Sequence, residues 1–221
     1  MASFVTVSAE LVERVRSNIN EPASNNDPLR GDLEIAQWLQ DGLLDYIAKI
    51  PADAVPELVV HRTFTGGYWS ITDDYLRLLH VVCDHTLTVG SITVTLTEQA
   101  YVLDVDEQNL VLYQPAIMGA WARFDRDDIG DHVIRVGPNC VSGTITYLGY
   151  PASIAHCNSI FPLGQEHEEP IVNYATHQAL AKVNDEDAPR YMERYKERVA
   201  AENDRYTRPW KTEKESSGGK S

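Results

Sequence analysis

Apolar positions recur every three or four residues at both ends of the chain, and every second residue through its middle. The first spacing belongs to amphipathic helices and the second to half-buried strands. Near the N-terminus Ser8 is expected to cap a short helix carrying Leu11, Val12 and Val15. Turn formers crowd the stretch from Asn20 to Pro28. Asp32 is expected as the N-cap of a longer helix running to Ile50. Its apolar stripe is Ile35, Leu39, Leu43, Ile47 and Ile50, and Pro51 stops it. Trp38, Leu44 and Tyr46 broaden that stripe, which predicts more than one packing neighbour.

From Glu57 to Tyr150 the period changes to that of strands. Leu58 to Phe64, Leu76 to Cys83, Ser91 to Thr97, His132 to Val136 and Thr144 to Leu148 are β-branched or alternating runs. Gly66-Gly67, Gly90, Gly137-Pro138-Asn139 and Gly149-Tyr150-Pro151 punctuate them, with Gly66-Gly67 expected as a hairpin turn. A short helix is expected over Asp104 to Tyr113.

Helical spacing then returns. Pro170 suits the first turn of a helix carrying Ile171, Val172, Ala175, Ala179 and Val183, and Asn184-Asp185 makes the following turn. A last helix, from about Glu186 to Asp204, is expected to bury Ala188, Tyr191, Met192, Tyr195 and Val199. Arg190, Arg194 and Arg198 form a ladder on it, interleaved with Glu193 and Glu197. Beyond it, Arg205, Tyr206, Arg208, Pro209, Trp210 and Lys211 place aromatic anchors among positive charges, a composition suited to docking in an acidic groove. The expected fold class is α+β. A helical bundle forms from residues 8–50 and 168–204, with Leu39, Leu43, Ile47, Ala175, Ala179, Val183, Tyr191 and Tyr195 inside. A mostly antiparallel β domain is inserted at 57–151, and residues 205–221 form an extended docking tail.

Charge narrows the function. The 221 residues carry 33 acids against 19 Lys and Arg, a net charge of −14, which argues against a surface that grips nucleic acid by neutralising phosphates. Residues 1–165 hold 21 acids and 9 bases, whereas residues 166–221 are nearly balanced at 12 and 10. Between Gly67 and Tyr113, Asp73, Asp74, Asp84, Glu98, Asp104, Asp106 and Glu107 face a lone base, Arg77. The excess serves solubility, or repels a polyanion. No apolar run approaches the roughly 20 residues of a membrane span, and the first residues lack the pattern of a signal peptide, so a soluble protein made in the cytosol is expected. Three cysteines, Cys83, Cys140 and Cys157, form no CxxC and read as small buried hydrophobes in a reducing compartment.

No catalytic constellation emerges. His80, Cys83 and His85 crowd together, but on a strand His80 and Cys83 point to opposite faces, and no second ligand pair stands at finger spacing. The run Asp125 to Gly130 outlines a calcium loop, yet Ile129 offers no side-chain oxygen and the twelfth position is Val136. Asp104-Val105-Asp106-Glu107 could chelate a cation or open a helix. His156 and Cys157 are adjacent in the chain, a poor geometry for a nucleophile and its base. GxSxG, P-loop, GxGxxG and HExxH patterns are absent, and neither a metal nor a cofactor is expected.

Four stretches resemble the head-to-tail adaptor (connector, or head-completion) proteins of tailed bacteriophages: Asp32 to Ile47, Trp69 to Val81, Val133 to Pro138 followed by Gly143 to Pro151, and Glu169 to Lys182 leading into Tyr191-Met192-Glu193-Arg194-Tyr195. Thr72 stands where that family commonly has a proline. The resemblance spans about residues 9–204 and is weakest between Ser91 and Asp131. It implies a non-enzymatic virion protein at the capsid vertex. Copies form a ring, commonly of twelve, that attaches beneath the portal protein, extends the DNA channel and offers a platform for tail or stopper proteins, with no membrane involved. On that reading Arg205, Tyr206, Arg208, Pro209, Trp210 and Lys211 dock on the portal or a neighbour. Arg190, Arg194 and Arg198 form a subunit-contact face. Asp73, Asp74, Asp104, Asp106 and Glu107 line the channel, where double-stranded DNA passes without specific binding. The alternatives are a stopper or tail tube-like neck protein built on the β domain, a metal-dependent or Cys/His hydrolase, and a monomeric interaction module.

Overall fold

The computed structural model describes residues 8–20, 31–89, 91–102, 120–126, 132–137, 140–155 and 159–207. The chain divides into two compact units, residues 1–57 with 151–221, and residues 58–150. The first unit is helical. It contains α1 (Ser8–Asn18), α2 (Asp32–Lys49), α3 (Glu168–Ala181) and α4 (Ala188–Thr207), with short 3-10 turns at Ala52–Ala54 and Gln165–His167.

Helix α3 is the centre of this unit, packing against α1, α2 and α4. That placement explains why its buried residues, among them Ile171, Val172, Ala175, Thr176 and Ala179, lie on several sides instead of one stripe. Leu11, Val15, Ile35, Leu39, Leu43, Ile47 and Tyr195 complete the core from the other helices. Polar contacts fix α1. Arg16 is buried, and its Nη2 and Nε donate to Asp32 Oδ1 at 2.5 and 2.9 Å. Arg14 pairs with Glu168 at 2.5 Å, and Asn18 Nδ2 donates to Thr176 Oγ1 at 3.2 Å. A buried guanidinium tolerates the loss of water only with such a partner.

Several local expectations are corrected here. Gly31 is the N-cap of α2, in extended conformation, and Asp32 is the first helical residue, its carboxylate engaged by Arg16. α3 ends at Ala181, so Val183 falls in the turn and is exposed; Asn184 takes a left-handed φ of 56° there. Tyr191 and Met192 are only half-buried. α4 continues to Thr207, so Arg205 and Tyr206 belong to its last turn and not to an extended tail.

The second unit is a seven-stranded sheet of β1 (Val59–Thr65), β2 (Tyr68–Ser70), β3 (Tyr75–Val89), β4 (Ile92–Val102), β5 (Trp121–Arg126), β6 (His132–Gly137) and β7 (Cys140–Gly149), in the order β1-β7-β3-β4-β5-β6-β2. Every pairing is antiparallel except the two-residue contact of β4 with β5. Gly66-Gly67 is not a hairpin turn. β1 pairs with β7 and β2 with β6, so these two glycines, both at positive φ, join the opposite ends of the strand order. A link of two residues between terminal strands forces the sheet to curl back on itself. Its interior holds Trp69, Tyr75 and Tyr147, with ring centroids 5.2 to 6.1 Å apart, packed with Val81, Cys83, Ile134, Cys140 and Ile145. The helix expected at Asp104–Tyr113, the acidic run Asp127–Gly130, and His156 with Cys157 lie outside the described residues.

Candidate assembly surfaces

The end of α4 is built on polar anchors. Tyr195 Oη donates to Asp45 Oδ2 at 2.5 Å, Lys49 Nζ reaches the same oxygen at 2.6 Å, and Asn203 Nδ2 donates to Lys49 O at 3.1 Å. One turn away, Tyr46 Oη lies 3.0 Å from Nδ1 of buried His167, and the Tyr46 and Tyr195 rings are 6.4 Å apart. Burial, together with the nearby Glu202 carboxylate, raises the Tyr46 phenol far above its ordinary range; burial and the Asp45 bond do the same to Tyr195. Tyr195 midway along α4 and Asn203 near its end are therefore tied to the C-terminal part of α2, and Arg198 to the Gln165–His167 turn.

The arginine ladder divides. Arg190 and Arg194 are exposed, Arg194 lying 5.6 Å from the Tyr191 ring centroid. Arg198 instead pairs with buried Glu202 at 3.2 Å, and its Nη2 donates to Glu166 O at 3.5 Å. Arg205 stacks 5.3 Å over the exposed ring of Tyr206, so the final helical turn presents an aromatic and a cation together. Arg208, Pro209, Trp210 and Lys211 lie outside the described residues.

The acids also divide. Asp73 is exposed. Asp74 accepts hydrogen bonds from Thr72 Oγ1 and, at 2.9 Å, from Tyr147 Oη, with Arg62 at 4.0 Å; the hydroxyl bonds, Thr72 first, hold its carboxyl below the usual range. Its backbone oxygen accepts from Tyr150 N at 2.7 Å, so Asp74 ties the β2–β3 turn to the end of β7. Asp104, Asp106 and Glu107 lie outside the described residues. In β4, Val94 and Leu96 are 47% and 50% exposed, an apolar surface that sequence reading passed over as ordinary strand alternation.

Among the described residues no group of three His, Cys, Asp or Glu side chains converges as a metal site, and no helix is long and apolar enough to cross a membrane. The chain belongs to the SU10 adaptor protein family, whose profile matches residues 7–213, a family of phage head-to-tail adaptors. No curated protein matches it. The family is a structural one and not an enzyme class; membership places the protein in the phage virion and implies partners among portal and tail proteins.

Proposed function

We propose that copies of this chain form a ring, of twelve as is common for adaptors, that attaches beneath the portal protein, extends the DNA channel and carries tail or stopper proteins, without catalysis. The observation that carries the reading is the end of α4. Tyr195 and Asn203 tie the middle and the end of α4 to α2, and the helix runs on to Arg205 and Tyr206. In this reading Arg205, Tyr206, Arg208, Pro209, Trp210 and Lys211 insert into the portal or between neighbours, the aromatics as anchors and the cations against an acidic groove. Arg190 and Arg194 contact the adjacent copy, while Arg198 acts inside the protomer as a positioning residue.

Asp73, Asp104, Asp106 and Glu107 are the proposed channel acids. Their repulsion of phosphate lets DNA slide without specific binding. Asp74 contributes charge, but its carboxylate already serves the sheet. Exposed Val94 and Leu96 favour a second role for the β unit, as the surface that meets a tail or stopper protein.

The test is a chain truncated after Thr207. It keeps every described helix, so its melting temperature is expected to stay within a degree or two of the full chain while its occupancy on portal-bearing capsids falls at least tenfold. Undiminished occupancy overturns the docking role of the segment.

A further inference from the structure

We propose that Trp210 and the cations beside it dock on a second copy of this chain, at an apolar patch of Leu33, Trp38 and Val183 set in an acidic rim. The proposal rests on the docking role given above to the residues after Thr207, and narrows their receptor to an adjacent copy.

The patch is built around one ion pair. Lys182 Nζ donates to Glu34 Oε1 and Oε2 at 2.7 and 2.8 Å and stands 5.8 Å from the Trp38 ring centroid. Leu33 precedes Glu34 and Val183 follows Lys182, so two aliphatic side chains flank the pair, 71% and 47% exposed. Trp38 is half-buried, one turn beyond Glu34 on α2. The pair neutralises itself, which leaves the charge of the rim to the α3–α4 turn. Asp185, Glu186 and Asp187 are all exposed there, with one base, Arg190, beyond them. An apolar centre inside a polar rim is the anatomy of a protein docking site. A negative rim fits a partner that brings an aromatic anchor between cations, and Arg208-Pro209-Trp210-Lys211 is such a sequence.

Helix lengths make the contact one between copies. Lys182 bonds to Glu34 near the start of α2, and Asn203 Nδ2 on α4 donates to O of Lys49, the last residue of α2, at 3.1 Å. Those two α2 residues are fifteen apart, about 22 Å at 1.5 Å per residue, and α4 runs on four residues past Asn203 to Thr207. Trp210 stands three residues after Thr207, a backbone reach of at most about 11 Å. Its ring therefore cannot return to the patch of its own chain. A contact between two unlike surfaces of identical copies is head-to-tail, the kind that closes into a ring when its rotation divides a full turn.

The experiment uses the full chain with the photo-crosslinker p-benzoylphenylalanine in place of Trp210, bound to portal-bearing capsids. Irradiation should give a product of twice the chain mass, whose peptide map joins residue 210 of one copy to residues 33–38 or 183–187 of another. Adding Leu33→Arg and Val183→Arg, both at exposed positions, should leave the melting temperature within a degree or two and cut that product at least tenfold per bound copy. Residue 210 joined to the portal, to its own chain or to another part of a neighbour overturns the proposal while the docking role of the segment stands. An undiminished product with both arginines overturns it as well. A chain that cross-links to nothing overturns the docking role itself, and the proposal with it.

Discussion

Tyr195 on α4 and Asp45 on α2 are 150 residues apart in sequence, yet their side chains share a 2.5 Å hydrogen bond, with the Tyr195 ring almost fully buried. A bond to a charged acceptor contributes about 1.5–3 kcal/mol. Tyr195→Phe keeps the ring and removes only this bond. A loss of about 2 kcal/mol in a urea melt is expected, and a change below about 0.5 kcal/mol would show that Lys49 alone satisfies Asp45.

Stability should also fall at high pH. Burial favours the neutral phenols of Tyr46, Tyr75 and Tyr195, the Tyr75 group being pushed up to about 12. A raised folded-state pKa contributes stability that is complete below the unfolded value, near pH 10, and disappears as pH rises through the folded one. The melting temperature is therefore expected to be level to about pH 10 and to drop steeply by pH 12, with a shallower drop in Tyr195→Phe. Asp74 has the opposite sign. Its lowered pKa stabilises above the ordinary carboxyl range near 4, and that contribution is lost on further acidification, so Asp74→Asn should flatten the acid limb.

Gly42 lets α2 approach α3. A Cβ there would lie 2.8 Å from Tyr174 Cδ1 and 3.1 Å from its Cβ. Alanine gains up to about 1 kcal/mol in helix propensity, but overpacking costs about 1–3 kcal/mol. Gly42→Ala should destabilise the protein alone and cost clearly less on a Tyr174→Ala background, where only the 3.1 Å approach to Cβ remains; a stabilising effect on the native background would mean that Tyr174 turns aside freely.

Leu43 is fully buried in the helical unit. Leu43→Ala leaves a cavity expected to cost about 2–5 kcal/mol in a denaturant melt. A cost under about 1 kcal/mol would show that the surrounding side chains collapse into the space.

The elements that were legible in the sequence are those whose apolar period comes from one continuous run. α2 ends at the residue before Pro51 and its cap, and β3, β4, β6 and β7 grow outward from their β-branched centres. β2 is three residues long, and β5 carries Arg123, Asp125 and Arg126 on a six-residue strand, so neither gives a period to read. The strand order depends on pairings between distant segments, as with β1 and β7, which no local window contains. The local partners of the candidate surface residues were illegible for the same reason. Arg190, Arg194 and Arg198 look alike at i, i+4 spacing, and only the position of Glu166 and Glu202 engages the third within the protomer. Asp73 and Asp74 are adjacent twins in sequence, but Tyr147, 73 residues on, engages just one of them.

The central position of α3 sets an order on synthesis. Its residues are made after the whole β unit, and α1 and α2, which precede that unit in the chain, pack against it. The sheet of residues 58–150 contains all of its own strand partners and can close while the chain is still growing; Leu11, Val15, Leu39 and Leu43 must wait for Ile171 and Ala175. During that interval the nascent chain carries two amphipathic segments that lack the core partner α3 supplies. A chain that stops before α3 is expected to keep the pairings of the sheet while its α1 and α2 segments become open to limited proteolysis.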